Sequence, residues 1–271
     1  MDKLDNGYRV LKIKEIIEET PTIKTFIFDW DMKEGKIPVP GQFIMIWSFN
    51  GVLDEKPMSI SKIDTVKGEI AVTVKQLGEF TKHLHSLVVG DELGIRGPYG
   101  NGFKVHGENI LVIGGGVGMA PVKCFGEYAK SLGKNVDFII ASITKDELLF
   151  FDELCSSFDV YSSTDDGTCG FKGFASHRLI DLLKSSSYDM AVVCGPEIMM
   201  KGIYDILEES GIPGQYSMER YMKCGIGICG QCCTDDTGWR VCVEGPVFSS
   251  TYIKEISEFG KYHRDSAGVK H

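Results

Sequence analysis

The stretch "NILVIGGGVGMAP", residues 109–121, decides how the larger part of this chain folds. An apolar, β-branched run ends at a group of glycines, and a helix-compatible segment with an early proline follows. This pattern indicates a buried strand that turns directly into a helix, where backbone N–H groups can approach a pyrophosphate. The spacing does not complete G-x-G-x-x-G, so a plain turn that needs glycine for packing stays open. The glycines are Gly114, Gly115, Gly116 and Gly118.

Beyond this turn, helix-like and strand-like segments alternate as far as "EIMMKGIYDILEESG", residues 197–211. Strands that alternate with helices predict a parallel sheet covered on both faces. Ligands of such sheets bind outside the carboxyl ends of the strands. We therefore expect the glycine turn and the other loops at that edge to form one nucleotide cleft.

Two further loops follow predicted strands at the same edge. In "STDDGTCG", residues 163–170, Thr164 and Asp165 offer a hydroxyl and a carboxylate to ribose hydroxyls. "CGP" brings Cys194, Gly195 and Pro196 to the end of the last strand. Cys194 is a candidate for a place near the nicotinamide and flavin rings. The alternative is a buried, inert thiol, the commoner fate of an isolated cysteine.

The residues before the glycine turn have a different pattern of apolar and polar side chains. Between residues 8 and 103, short apolar or alternating runs are bounded by glycine, proline, asparagine and aspartate. Short strands at close spacing predict a barrel or a sandwich, with one short helix at "GEFTKHLHSL". We divide the chain into a β-barrel domain, an α/β domain, a cysteine-rich module and a charged tail with mobile last residues. Their predicted limits are 1–103, 104–215, 216–250 and 251–271.

The cysteine-rich module contains "KCGIGICGQCC", residues 223–233, which is too poor in large side chains to form a core. The C-x4-C-x2-C spacing with a distant fourth cysteine is typical of plant-type [2Fe–2S] ligands. Zinc ligands are the main alternative interpretation of these cysteines, and disulfides are the third. Cys233 could replace the third ligand, but only Cys232 keeps the x2 spacing. The predicted ligands are Cys224, Cys229, Cys232 and Cys242.

Composition excludes some classes of function. The net charge of −9 argues against nucleic acid or an anionic membrane as the main partner. The most apolar run, residues 110–122, is too short and too rich in glycine to span a bilayer. Residues 1–17 lack an apolar signal core, so we expect a cytoplasmic protein. The nine cysteines then indicate metal ligands and buried thiols.

These motifs, taken in order, resemble one family over residues 8–250. It is the family of electron-transfer subunits of the NAD-linked, two-subunit dihydroorotate dehydrogenases, within the ferredoxin-reductase superfamily. The resemblance is strongest in "GPYGNGF", "GGGVGMAP", "STDDG", "CGP", "MKCGIGICGQCC" and "VCVEGPVF". It implies a flavoprotein with one FAD and one [2Fe–2S] cluster.

The resemblance also implies three FAD contacts on the barrel. The family's R-P-x-S motif looks like Lys56, Pro57, Met58 and Ser59, where lysine keeps the charge but loses the planar fork. The second contact resembles Thr73, Val74 and Lys75. The third, a Gly-Thr pair, looks like Phe80 and Thr81, although Thr81 could simply cap the short helix.

The resemblance finally implies an electron relay in pyrimidine biosynthesis. An FMN-containing catalytic subunit oxidises dihydroorotate, and this chain passes the electrons through the cluster and FAD to NAD+ without binding dihydroorotate itself. We expect a heterotetramer of two subunits of each kind. The missing arginine in residues 163–170 favours NAD, although Lys172 is near. Alternatives are a subunit linking NAD(P)H to ferredoxin, hydrogenase or sulfur species, a redox sensor, and a zinc-stabilised binding module.

Overall fold

The computed structural model describes residues 7–32, 37–49 and 54–271. Within these residues the chain forms a closed six-stranded barrel and a seven-stranded sheet. A cysteine-rich loop region shares a hydrophobic core with residues of both. The predicted fold class is confirmed, although residues 1–6, 33–36 and 50–53 of the predicted barrel domain lie outside the described part. No helix of the described residues is long and apolar enough to cross a membrane.

The barrel is antiparallel throughout, with strand order β1-β2-β5-β4-β3-β6. The first two strands are joined by a tight turn at Pro21 and Thr22, and the predicted short helix is confirmed. Phe26, Phe28 and Ile44 are fully buried inside the barrel, because the apolar face of each strand points inward. The elements are β1 Arg9–Thr20, β2 Ile23–Asp29, β3 Phe43–Trp47, β4 Lys56–Asp64, β5 Glu69–Lys75, α1 Glu79–Ser86 and β6 Glu92–Tyr99.

The sheet has the order β10-β9-β8-β7-β11-β12-β13 and is parallel except for its last strand. Its strands are β7 Asn109–Gly115, β8 Asn135–Ser142, β9 Asp159–Thr164, β10 Phe171–Lys172, β11 Met190–Cys194, β12 Gly214–Ser217 and β13 Val247–Ser249. Its helices are α2 Met119–Ser131, α3 Phe151–Cys155, α4 Ala175–Leu182, α5 Glu197–Glu209 and α6 Ser250–Ile253. Short 3-10 turns occur at Gly116–Gly118 and Lys145–Glu147.

Strands β12 and β13 are not predicted by the sequence, because each is too short to show a period. Strand β12 pairs with β11 and runs across the predicted boundary at residue 215. Strand β13 returns from the cysteine-rich region and pairs with β12, with Tyr216 opposite Phe248. The cysteine-rich region is thus a long excursion between two neighbouring strands, and the domain limits stay a prediction.

The C-terminal segment, predicted as a charged tail with mobile last residues, begins with side chains that pack against the body of the protein. Ile253, Ile256 and Phe259 are buried in the same core as the cysteine-rich region. Arg264 lies 2.9 Å from the carboxylate of Asp235, an acid of the cysteine-rich region. This packing brings the end of the chain close to the predicted functional residues.

Candidate functional site

A cavity of about 250 Å³ lies between the barrel and the sheet. It joins the predicted FAD contacts of strands β4 and β5 to the glycine turn and the last strand end of the nucleotide domain. A flat ring held against the barrel would therefore face the nucleotide-binding loops. The predicted residues that line it are Pro57, Met58, Ser59, Thr73, Val74, Lys75, Thr81, Gly118 and Cys194.

The third predicted FAD contact has a different geometry from the motif it resembles. The Phe80 side chain packs in the barrel core and is 6% exposed, although Phe80 and Thr81 are both among the residues that line a second cavity. The hydroxyl of Thr81 accepts bonds from the backbone N–H groups of Leu77 and Gly78, as a helix cap does. Gly78, at the N-cap of α1, supplies the bare backbone that the motif requires of a glycine.

Lys56 lies at the mouth of a second cavity, of about 560 Å³, beside the start of α1. Its ammonium nitrogen sits 4.7 Å from the centre of the Tyr221 ring and 3.4 Å from the Tyr221 hydroxyl oxygen. The structure therefore places the positive charge of Lys56 beside this cavity, and contact with the FAD pyrophosphate stays a prediction.

The nucleotide cleft has a volume of about 750 Å³ and continues from the first cavity. The residues predicted for NAD that line it are Gly115, Gly116, Gly118, Gly195 and Pro196. Cleft-lining residues that sequence reasoning missed include Glu219, Arg220, Tyr221, His263, Arg264, Asp265 and Ser266. The first three follow β12, so recognising that strand would have placed them at the ligand edge of the sheet.

Close packing accounts for most of the glycines in the turn. A Cβ atom on Gly118 would lie 2.6 Å from the backbone nitrogen of Gly195, and one on Gly114 would lie 2.8 Å from the Cα of Met119. Gly116 instead has open space around it and a φ of +54°, so its backbone conformation is what favours glycine. A glycine turn required for packing is thus compatible with a ligand cleft, since the close contact between Gly118 and Gly195 holds together two loops that line the cleft.

The loop of residues 163–170 is placed differently from the prediction. Thr164 is buried, and its hydroxyl donates to the carbonyl of Cys169 at 2.9 Å and accepts from the N–H of the same residue at 3.0 Å. Asp165 is exposed, and neither residue is among those that line the cavities. Thr164 therefore shapes its own loop, and its hydroxyl is not free to meet a ribose.

Cys194 combines the two interpretations that the sequence left open. Its side chain is buried, with 4% exposure, yet it lines the cavity between the barrel and the sheet. Burial, reinforced by the carboxylate of Glu219, raises the pKa of the Cys194 thiol far above its usual range. The group is therefore a neutral thiol at the junction of the two cavities, suited to contacting a ring.

An acidic and basic cluster lies beside this thiol. Arg220 is almost completely buried and lies 3.0 Å from Glu197 and 2.9 Å from Glu258. Glu219, the next residue, lines both cavities, and desolvation by the surrounding protein raises its pKa. The paired Arg220 holds the segment after β12 in place, so that Glu219 faces the cleft.

The four predicted ligand cysteines lie in two pairs. Burial alone would raise the pKa of Cys224, but hydrogen bonds from the backbone N–H groups of Cys229, Ile226 and Ile228 lower it to about 6. Cys232 and Cys242 are both buried, and burial together with their mutual hydrogen bond raises the pKa of Cys242 to about 12. Across the described residues, no three metal-binding side chains converge on one point.

This donor set fits a two-iron cluster, in which each iron takes two protein ligands. Thiolates suit iron–sulfur chemistry, and N–H groups aimed at sulfur are the expected second layer of contacts. Cys233 belongs to neither pair, because the side chain that hydrogen-bonds to Cys242 is that of Cys232. The geometry therefore favours Cys232 over Cys233 as the third ligand.

Comparisons with known proteins agree with this arrangement. Residues 10–103 match the family model described as the oxidoreductase FAD-binding domain. Residues 219–254 match the iron-sulfur cluster binding domain of dihydroorotate dehydrogenase B. The choice of an iron–sulfur cluster over zinc and the presence of FAD are thereby confirmed.

Curated relatives match nearly the whole chain. A protein of Methanothermobacter thermautotrophicus is 52% identical over 99% of this chain and 98% of its own length. One from Methanocaldococcus jannaschii is 47% identical over 96% of this chain and 97% of its own length. Both are named as probable dihydroorotate dehydrogenase B (NAD(+)), electron transfer subunit.

A solved structure reported for an NADH-dependent reduced ferredoxin-NADP oxidoreductase has a TM-score of 0.81 and 26% identity, covering 93% of this chain and 95% of its own. The FAD/NAD-binding domain of a nitric oxide dioxygenase from Vibrio cholerae has a TM-score of 0.66 and 19% identity, covering 75% of this chain and 94% of its own, and shares the fold alone. The full-length identities decide the family. This chain belongs to the family of electron transfer subunits of dihydroorotate dehydrogenase B, the NAD(+)-linked enzyme.

Proposed function

We propose that this chain carries electrons from the FMN of a dihydroorotate-oxidising catalytic subunit, through a [2Fe–2S] cluster and FAD, to NAD+. One observation carries the proposal. Tyr221 lines the nucleotide cleft and contacts Lys56 of the flavin motif, and Cys224 follows it by three residues. One short segment thus links the cluster ligands to the site where flavin and nicotinamide would meet.

The cluster, the flavin and the residues around them would have distinct roles in electron transfer. An iron–sulfur cluster passes single electrons, whereas a flavin exchanges one or two and can deliver a hydride to NAD+. Pro57, Met58 and Ser59 hold the barrel side of the flavin cavity, and Gly118 and Cys194 hold the opposite side. A flavin ring on the barrel side of this narrow cavity would face a nicotinamide ring bound at the glycine turn, with little room for water between them.

The exposed side of the cysteine loop is suited to a protein partner. Ile226 is 45% exposed and Ile228 is 80% exposed, although both lie between the ligands Cys224 and Cys229. Apolar side chains beside a redox centre would be covered by the catalytic subunit, in an assembly of two subunits of each kind. We place this assembly in the cytoplasm, where the five cysteines that are not predicted cluster ligands would stay reduced.

Co-expression of this chain with an FMN-containing dihydroorotate-oxidising subunit from the same organism tests the function. We expect a complex that contains FMN, FAD, iron and acid-labile sulfide and that reduces NAD+ with dihydroorotate. Analytical ultracentrifugation measures the stoichiometry. Zinc without sulfide in the purified chain, or a complex that fails to reduce NAD+, would overturn the proposal.

We expect NADH to reduce the flavin faster than NADPH. The loop of residues 163–170 does not line the cleft, but the exposed carboxylates of Asp165 and Asp166 follow β9 at the same edge of the sheet, where they would repel a 2′-phosphate. A nearby cation opposes them, because the side chain of Lys172 lies across Gly167. Stopped-flow reduction of the flavin with both nucleotides measures the preference for NADH over NADPH, and Lys172→Ala should increase that preference. A faster reaction with NADPH would show that this loop does not face the ribose.

The structural similarity to an NADH-dependent reduced ferredoxin-NADP oxidoreductase supports a second candidate, electron exchange with ferredoxin. The two candidates differ in the partner that covers the cysteine loop. Reduction of the cluster by ferredoxin, but not by the reduced catalytic subunit, would favour the second.

A further inference from the structure

An ion pair of the barrel reaches across to the cysteine loop. Arg96, on strand β6, donates from its Nη2 atom to the backbone carbonyl of Cys224 at 2.8 Å. The same guanidinium binds both carboxylate oxygens of Glu55, and its Nε atom lies 2.9 Å from one of them. The side chains are only 13% and 16% exposed. A bidentate, shielded pair of this kind holds its geometry far better than a surface ion pair.

The surroundings fix this pair from several sides. The Tyr8 hydroxyl donates to Glu55 at 2.5 Å, and the guanidinium carbon of Arg96 lies 5.3 Å from the centre of the Tyr8 ring. The next residue of the cysteine loop, Gly225, packs on the barrel so closely that a Cβ atom would lie 2.9 Å from Met45. The first cluster ligand is therefore clamped to the flavin-binding barrel by a hydrogen bond and by packing.

A second arginine shows why this contact is distinctive. Arg240 donates to the carbonyl of Gly227 at 3.2 Å and pairs with Glu244. Both of those partners belong to the cysteine-rich region, so that pair stabilises the loop internally. Arg96 acts from another part of the fold, and its bond determines how the loop lies relative to the flavin cavity.

We propose that the Arg96–Glu55 pair positions the cluster against the flavin barrel and sets the reduction potential of the cluster. The inference rests on ligation by Cys224, which belongs to the proposed function. A reduced cluster carries one more negative charge than an oxidised one, so a nearby cation favours reduction and a nearby anion opposes it. The cation, Arg96, contacts the cysteine loop at Cys224, whereas the anion, Glu55, is bound to Arg96.

Neutralising each partner should therefore shift the potential in opposite directions. Arg96→Gln leaves Glu55 uncompensated and should lower the potential, whereas Glu55→Gln leaves Arg96 uncompensated and should raise it. We expect each shift to be about tenfold in the reduction equilibrium, which is about 59 mV for a one-electron couple. Arg96→Lys keeps the charge and should keep most of the potential. Redox titration followed by electron paramagnetic resonance, on the chain with both cofactors bound, measures all three.

The positioning role has its own measurement. Reduction of FAD by NADH should be unchanged in Arg96→Gln, whereas the following one-electron transfer from FAD to the cluster should slow, since the loop loses its clamp. The matched control is Arg178→Gln. Arg178 also pairs with an acid, Asp181, and lies 5.0 Å from the Tyr161 ring, but it is on α4. In Arg178→Gln, the reduction potential of the cluster and the rate of electron transfer from FAD to the cluster should equal those of the native protein.

The outcomes separate this inference from the proposed function. Native protein without a cluster signal would overturn the proposed function and the inference with it. A normal native cluster whose potential moves in the same direction, or not at all, in Arg96→Gln and Glu55→Gln would overturn the inference alone. If Arg96→Gln loses its cluster, Arg96→Lys and Glu55→Gln decide the question, because both keep a cation at position 96 that can donate to the carbonyl of Cys224.

Discussion

Replacing Cys229 with serine is expected to abolish electron transfer from dihydroorotate to NAD+ while leaving NADH oxidation by an artificial dye intact. A serine oxygen is a harder and poorer ligand for iron than a thiolate, so the cluster should be lost or badly impaired. The FAD and nucleotide cavities are lined by other segments and should still work. The physiological rate should fall by more than about a hundredfold, since even the loss of an outer contact costs up to about that much.

Three further cysteine variants control this experiment. Cys155, exposed like Cys229 but on α3, should tolerate serine without effect. Cys233→Ser should keep the cluster and the activity, whereas Cys232→Ser should lose both. If Cys233→Ser abolishes the cluster and Cys232→Ser spares it, the ligand assignment is wrong by one residue. Dihydroorotate-dependent NAD+ reduction that survives Cys229→Ser would exclude the cluster from the electron path.

Gly118→Ala is expected to disable the reaction of NADH with the flavin. The added Cβ atom would lie 2.6 Å from the nitrogen of Gly195 and 2.7 Å from the carbonyl carbon and oxygen of Cys194. All three are backbone atoms, so the methyl group must push apart the loops that end β7 and β11. A displacement of about 1 Å at reacting rings costs about a hundredfold in rate. Overpacking should also lower the free energy of unfolding by about 1–3 kcal/mol.

Gly202→Ala provides the matched control for this substitution. Gly202 lies inside α5, and its nearest neighbour to an added Cβ atom is Ser176, at 3.8 Å. This variant should reduce flavin at the native rate and be more stable by about 1 kcal/mol, because alanine favours a helix. Stopped-flow flavin reduction and urea unfolding measure both variants. Native rates in Gly118→Ala would mean that the two loops do not need their close contact.

The succession of elements was predictable from residue patterns. The apolar run before Gly114 and the periodic segments up to Glu209 define strands and helices of the α/β sheet without any tertiary information. Short strands from Arg9 to Tyr99 indicated the barrel. Where elements are very short the pattern failed: β12 has four residues and β13 has three, too few to show a period.

The nucleotide and flavin residues were predictable only in part. Motif resemblance named residues of β4, β5 and the glycine turn, and several of them line the two cavities. It could not show that the Phe80 side chain packs in the barrel core or that the Thr164 hydroxyl forms hydrogen bonds within its own loop. A side chain's direction depends on what packs against it, and the neighbours of these two residues are set by the fold.

By itself, the sequence determined the order of the elements, the cysteine spacing and the family, because these depend on residue types at short, fixed separations. Tertiary structure alone brought Glu219 and the segment around His263 to the nucleotide cleft. It also joined Arg96 to the carbonyl of Cys224, a partner 128 positions away. No local period encodes such a contact. It exists because strand β13 returns the chain to the sheet and presses the intervening cysteine loop against the barrel.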